Sequence, residues 1–80
     1  MAPGVMALAD APARTPLTLV TCLIDTSLRT RLATLGLRTG SPLEVVLRTA
    51  GGGRVVSVAG SRIAMDRSVL QQLHVKRAQA

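Results

Sequence analysis

The chain has no phenylalanine, tyrosine or tryptophan, one cysteine, one histidine and only four acidic residues in 80. Each shortage closes a class of function. Without aromatic rings there is no platform for stacking unpaired bases, on which small barrels that hold single strands rely. Nor are there aromatic slots to grip a proline-rich peptide. The lone cysteine, Cys22, rules out an intrachain disulfide and fits a reducing, cytoplasmic setting. No apolar run approaches the roughly 20 residues of a membrane span. The opening MAPGVMALADAPA lacks a basic start and is interrupted by Asp10, so it does not read as a secretion signal.

The inventory is equally poor in catalytic chemistry. Cys22 and His74 would form a nucleophile pair only if the fold joined them, and a cysteine in apolar company is usually inert. No base with an orienting partner stands beside a nucleophile, so the chain does not read as an enzyme. No CxxC, HxxxH or HExxH spacing is present for a structural metal. No cofactor is required by any motif. A divalent metal, Fe2+ or Zn2+, has His74 as its one weak candidate ligand, through a low-coordination or intermolecular contact.

What is present is charge of one sign and an aliphatic pattern. Nine arginines and one lysine give a net charge of +6. They are scattered singly, with no basic run, so they read as a solvated surface before they read as a footprint for an anionic partner. With 48% hydrophobic residues the core must be built from Leu, Val, Ile, Met and Ala. Each buried Leu or Val contributes about 1.5–3 kcal/mol, enough for one small domain.

Residues 1–5 and 78–80 read as flexible tails around a domain spanning 6–77. MALADAPA (6–13) suits a short edge strand or an extended lead-in. LTLVTCLI (17–24) reads as a strand, with Leu17, Leu19, Thr21 and Leu23 on one face. In residues 25–36, Leu28, Leu32 and Leu35 fall on one helical face, with Asp25, Thr26 or Ser27 as the cap. Gly36 is placed to end that helix in the left-handed conformation, returning Leu37 against Leu32. Gly40 provides a second reversal before Pro42. PLEVVLRT (42–49) alternates, with Leu43, Val45 and Leu47 inward. The run AGGG (50–53) lacks the GK[ST] and following helix of a phosphate loop, so it reads as a hairpin loop. RVVSVAG (54–60), a tight turn at Gly60-Ser61, RIAM (62–65), a helical turn capped by Asp66, and HVKR (74–77) complete the order. Short strands and tight turns in this order predict a mainly β protein with short helices, a small and partly open barrel.

These residues resemble the ferrous iron transport protein A (FeoA) family. The resemblance lies in RLATLGLRTGSPLEVV, at Arg31, Leu32, Leu35, Gly36, Leu37, Gly40, Leu43 and Val45. It continues in VVSVAGSRIAMDRSVLQQLHV, at Gly60, Ile63, Ala64, Met65 and Val75. It covers about residues 6–76. The chain departs at Ala13, where the family often has Gly, and at Asp66, where a basic residue is common. The resemblance implies an SH3-like β-barrel in the cytoplasm. It also implies regulation or assembly of the GTP-binding membrane iron permease (FeoB) by protein–protein contact, peripheral to the membrane through that partner. The same module also occurs as the C-terminal domain of metal-dependent repressors, but this chain carries no DNA-binding half.

The connector is the expected contact surface: Leu37, Arg38, Thr39, Gly40 and Ser41, with Gly36, Gly40 and Gly60 as structural turns. The alternative is a basic small barrel that binds nucleic acid through phosphates alone, or a metal-responsive module. No specific nucleic acid is expected, and self-association stays open.

Overall fold

The computed structural model describes residues 4–78. Its strands are β1 (Met6–Ala7), β2 (Leu17–Cys22), β3 (Pro42–Arg48), β4 (Arg54–Val58), β5 (Ser61–Met65) and β6 (Leu73–Arg77). Helix α1 (Thr26–Thr34) joins β2 to β3, and α2 (Arg67–Leu70) joins β5 to β6. A 3-10 turn at Leu8–Asp10 follows β1 and packs on α2 and β6. The strands lie in the order β1-β6-β2-β3-β4-β5, antiparallel throughout. One parallel bridge, Ala13 to Val45, lays the lead-in against β3. The result is a mainly β, SH3-like barrel whose ladder is not closed between β1 and β5. Of the expected tails, 1–5 and 78–80, residues 1–3 and 79–80 lie outside the described residues.

Two β-bulges decide which side chains reach the core. In β2, Leu19 pairs with Val75 and Thr21 with His74, so Val20 is an extra residue. An extra residue reverses the alternation beyond it. Leu17 and Leu19 are therefore buried, but Leu23 is 61% exposed and Ile24 takes the core position. The expectation that Leu23 shares a face with Leu19 fails for that reason.

In β3, Val45 pairs with Val56 and Leu47 with Val55, leaving Val46 as the extra residue. Leu43 and Val45 are buried while Leu47 is 47% exposed, against the expected inward position. Beyond the bulge Arg48 lies directly opposite Arg54.

Helix α1 is capped by Asp25, whose carboxylate accepts the Leu28 N–H at 2.8 Å. It ends one residue before Leu35, which becomes the C-cap and is 39% exposed. The inward face is thus Leu32 with half-buried Leu28, and Leu35 leaves it. The core holds Leu, Val, Ile, Met and Ala alone, with Leu8, Leu17, Leu19, Leu70 and Leu73 fully buried.

The β4–β5 hairpin closes at Val58 and Ser61, so its turn is Ala59-Gly60 and not Gly60-Ser61. Both turn residues have positive φ, +49° and +81°. That is the type I′ geometry whose twist matches paired strands.

Candidate functional site

The helix-to-strand connector is built on a Schellman ending. The Gly36 N–H donates to the Ala33 carbonyl at 3.0 Å and the Leu37 N–H to the Leu32 carbonyl at 2.9 Å. Gly36 adopts φ +96°, where a side chain would be strained. A second turn follows at once: the Ser41 N–H donates to the Arg38 carbonyl at 2.8 Å, with Gly40 at φ +90° in its third position.

Ser41 ties the two turns together. Its Oγ accepts the Arg38 N–H at 2.9 Å and donates to the Gly36 carbonyl at 2.9 Å. On the far side, the Gly40 N–H donates to the Leu19 carbonyl at 2.8 Å, pinning the connector to β2. The loop between the glycines is therefore a fixed shape.

Of the five expected contact residues, Leu37 is 2% exposed and sits in the core with Leu32. The Schellman ending directs its side chain inward, so it offers little exposed surface. Arg38, Thr39 and Gly40 are exposed, and Ser41 is half-buried and engaged in the connector. The presented surface thus reduces to Arg38, Thr39 and the Gly40 backbone.

That surface borders a groove of about 480 Å³ between α1 and β2. Ala33 of α1 and Val20 and Cys22 of β2 supply apolar lining, with Leu37 beneath the connector. Arg29 and Arg38 stand along it as cations. The Arg29 guanidinium donates to the Cys22 carbonyl at 3.0 Å and the Ile24 carbonyl at 3.4 Å. The Arg38 guanidinium donates to the Ala33 carbonyl at 3.2 Å, a second donor to the helix C-terminal acceptor that already takes the Gly36 N–H. An apolar trough with two oriented cations suits a protein segment that carries apolar and acidic side chains. Sequence reasoning did not bring Val20, Arg29 and Ala33 to this groove, and weighed Cys22 only as a nucleophile, because nothing local announces the packing of α1 beside β2.

Residues 6–77 match the FeoA domain family. The chain belongs to that family. Solved structures with the same fold include an iron uptake regulatory protein (FeoA), 23% identical, with a TM-score of 0.79 over 92% of this chain and 99% of that one. The FeoA protein from Chlorobium tepidum is 24% identical, with a TM-score of 0.85 over 92% of this chain and 71% of that one. FeoA from Stenotrophomonas maltophilia, solved with zinc, is 23% identical, with a TM-score of 0.68 over 91% of this chain and 99% of that one. That last protein is described as a prokaryotic SH3 domain protein and a candidate ferrous iron transport activating factor. No curated protein sequence matches the chain. The family is one of ferrous iron transport, and this FeoA domain carries its SH3-like fold.

The other two sequence candidates are kept apart by the sheet. Cys22 pairs with Leu73 and Thr21 with His74, so the Cys22 and His74 side chains leave the sheet on opposite faces. They form no nucleophile pair. His74 is half-buried, and its Nδ1 is buried with no hydrogen-bond partner. Among the described residues no group of three His, Cys, Asp or Glu side chains gathers to hold a metal. No helix among them is long and apolar enough to cross a membrane.

Proposed function

We propose that this FeoA domain is a cytoplasmic accessory protein of ferrous iron uptake. It acts by contact with the cytoplasmic part of the GTP-binding membrane iron permease. The family match over residues 6–77 carries this reading. The rigid connector supports it, since Arg38 and Thr39 stand exposed beside an apolar groove without any need for ordering on binding.

The test is Arg38→Glu, with Arg38→Gln as its neutral companion. The expected outcome is a folded protein that no longer retains the permease's cytoplasmic domain in a pull-down and no longer supports iron uptake. Arg38→Gln falls between Arg38→Glu and wild type. Full uptake by Arg38→Glu overturns the connector as the contact surface.

A second reading rests on His74, the one histidine, half-buried and with no side-chain hydrogen bond among the described residues. A metal held there would be shared with another molecule. Calorimetry with ferrous and zinc ions on wild type and His74→Ala decides it, and equal heats for the two proteins remove the reading.

A further inference from the structure

Arginines that lie far apart in the sequence converge at one end of the barrel. Arg48, Arg54 and Arg67 line a polar cavity of about 440 Å³, together with the backbone of Gly52 and Gly53. Asp10 is the single acid in that lining. Three cations against one carboxylate leave the cavity with two excess positive charges.

The arrangement is fixed by the fold. The bulge at Val46 brings Arg48 round to stand directly opposite Arg54, and like charges in that relation repel. Arg54 is 8% exposed and donates to the Ala9 and Ala11 carbonyls, so its guanidinium cannot swing away. Burial first, and Arg48 second, lower the Arg54 pKa from its ordinary value, while Asp10 raises it. Arg67 lies against Gly52, where an added Cβ would come within 3.1 Å of its Cδ. The guanidinium hydrogen bonds among the described residues belong to Arg29, Arg38 and Arg54, so those of Arg48 and Arg67 remain available.

We infer that this cavity binds a small phosphate-bearing dianion, with Arg48 and Arg67 as its contacts and buried Arg54 as the fixed charge behind them. A dianion matches the two excess charges and removes the Arg48–Arg54 repulsion. The planar guanidinium fork matches phosphate oxygens in pairs. The glycine run serves by admitting the arginines and the ligand closely, and not as a phosphate loop.

The test is calorimetry of inorganic phosphate binding at low salt and mildly alkaline pH, where it is a dianion, on wild type, on the double variant Arg48→Gln/Arg67→Gln, and on Arg31→Gln/Arg62→Gln. The last pair removes the same charge from exposed positions outside the cavity. Wild type and the control pair are expected to bind alike, and the cavity pair roughly tenfold or more weaker. The Gly52 and Gly53 amide resonances shift in wild type only where the cavity is the site. A second arm uses phosphatidylcholine vesicles doped with phosphatidic acid. Vesicle binding without inorganic phosphate binding, lost in the cavity pair, assigns the phosphate to a lipid headgroup. Absence of binding in both arms, or equal weakening in the two double variants, overturns the inference.

Discussion

Gly36 and Ala59 touch across the molecule: a Cβ added to Gly36 would sit 2.7 Å from the Ala59 Cβ. The helix C-terminus and the β4–β5 turn therefore meet backbone to side chain. Gly36 is held at φ +96° and Ala59 at φ +49°, so each is in the left-handed region. Gly36→Ala introduces strain of about 1–2 kcal/mol from backbone conformation and adds the clash. Ala59→Gly removes the Cβ that would be struck and eases its own turn. The double variant is expected to be less destabilised than the sum of the single variants, leaving the φ strain alone. Urea unfolding of the four proteins in a double-mutant cycle measures that coupling, and strict additivity would falsify the contact.

Arg54 fastens the lead-in to β4 through the Ala9 and Ala11 carbonyls, 45 and 43 residues away in the chain. Arg54→Met keeps the aliphatic stem but leaves both carbonyls without their charged donor. The expected loss is about 2–4 kcal/mol, from bonds to a charged group and the desolvation of the orphaned acceptors. Arg54→Lys restores the charge but not the two-pronged geometry, and should recover only part of that loss. Chemical unfolding of the three proteins ranks them.

Asp66 caps α2 by accepting the Val69 N–H at 3.0 Å and the Ser68 hydroxyl at 2.8 Å. The Val69 bond first, and the Ser68 bond second, hold its pKa below the ordinary aspartate value of 3.8. A carboxyl depressed in the folded state stabilises the fold fully above its unfolded pKa. That contribution fades as pH falls below 3.8 and is gone beneath the folded value. Thermal unfolding from about pH 6 down to about pH 2 should show this acid slope, reduced in Asp66→Asn. An unchanged slope in the variant means that the cap does not set it.

Ser41 separates the shape of the connector from its chemistry. Ser41→Ala loses both the Arg38 N–H and Gly36 carbonyl bonds, with an expected cost of about 1–2 kcal/mol. Arg38→Glu gives up only an exposed bond to Ala33, and should change stability by about 0.5 kcal/mol or less. If the connector is the contact surface, Arg38→Glu abolishes retention of the permease domain at unchanged melting temperature. Ser41→Ala, with Arg38 still present, weakens retention partially and lowers the melting temperature.

The sequence by itself determined the element order, the Asp66 cap and the two glycine reversals, and narrowed the α1 cap to Asp25, Thr26 or Ser27. Those depend on local chemistry: Asp25 and Asp66 accept nearby N–H groups, and Gly36 and Gly40 adopt backbone angles that other residues resist. It also marked the family, because the spacing around Gly36, Leu37 and Gly40 is a local pattern. Tertiary structure alone decided which face β2 and β3 show beyond their bulges. One extra residue at Val20 and another at Val46 reverse the alternation, and a bulge exists only against a partner strand. That reversal exposes Leu23 and Leu47 and sets Arg48 opposite Arg54. Charges that lie scattered along the chain thus become a single basic cavity, since long-range strand pairing gathers residues that spacing cannot.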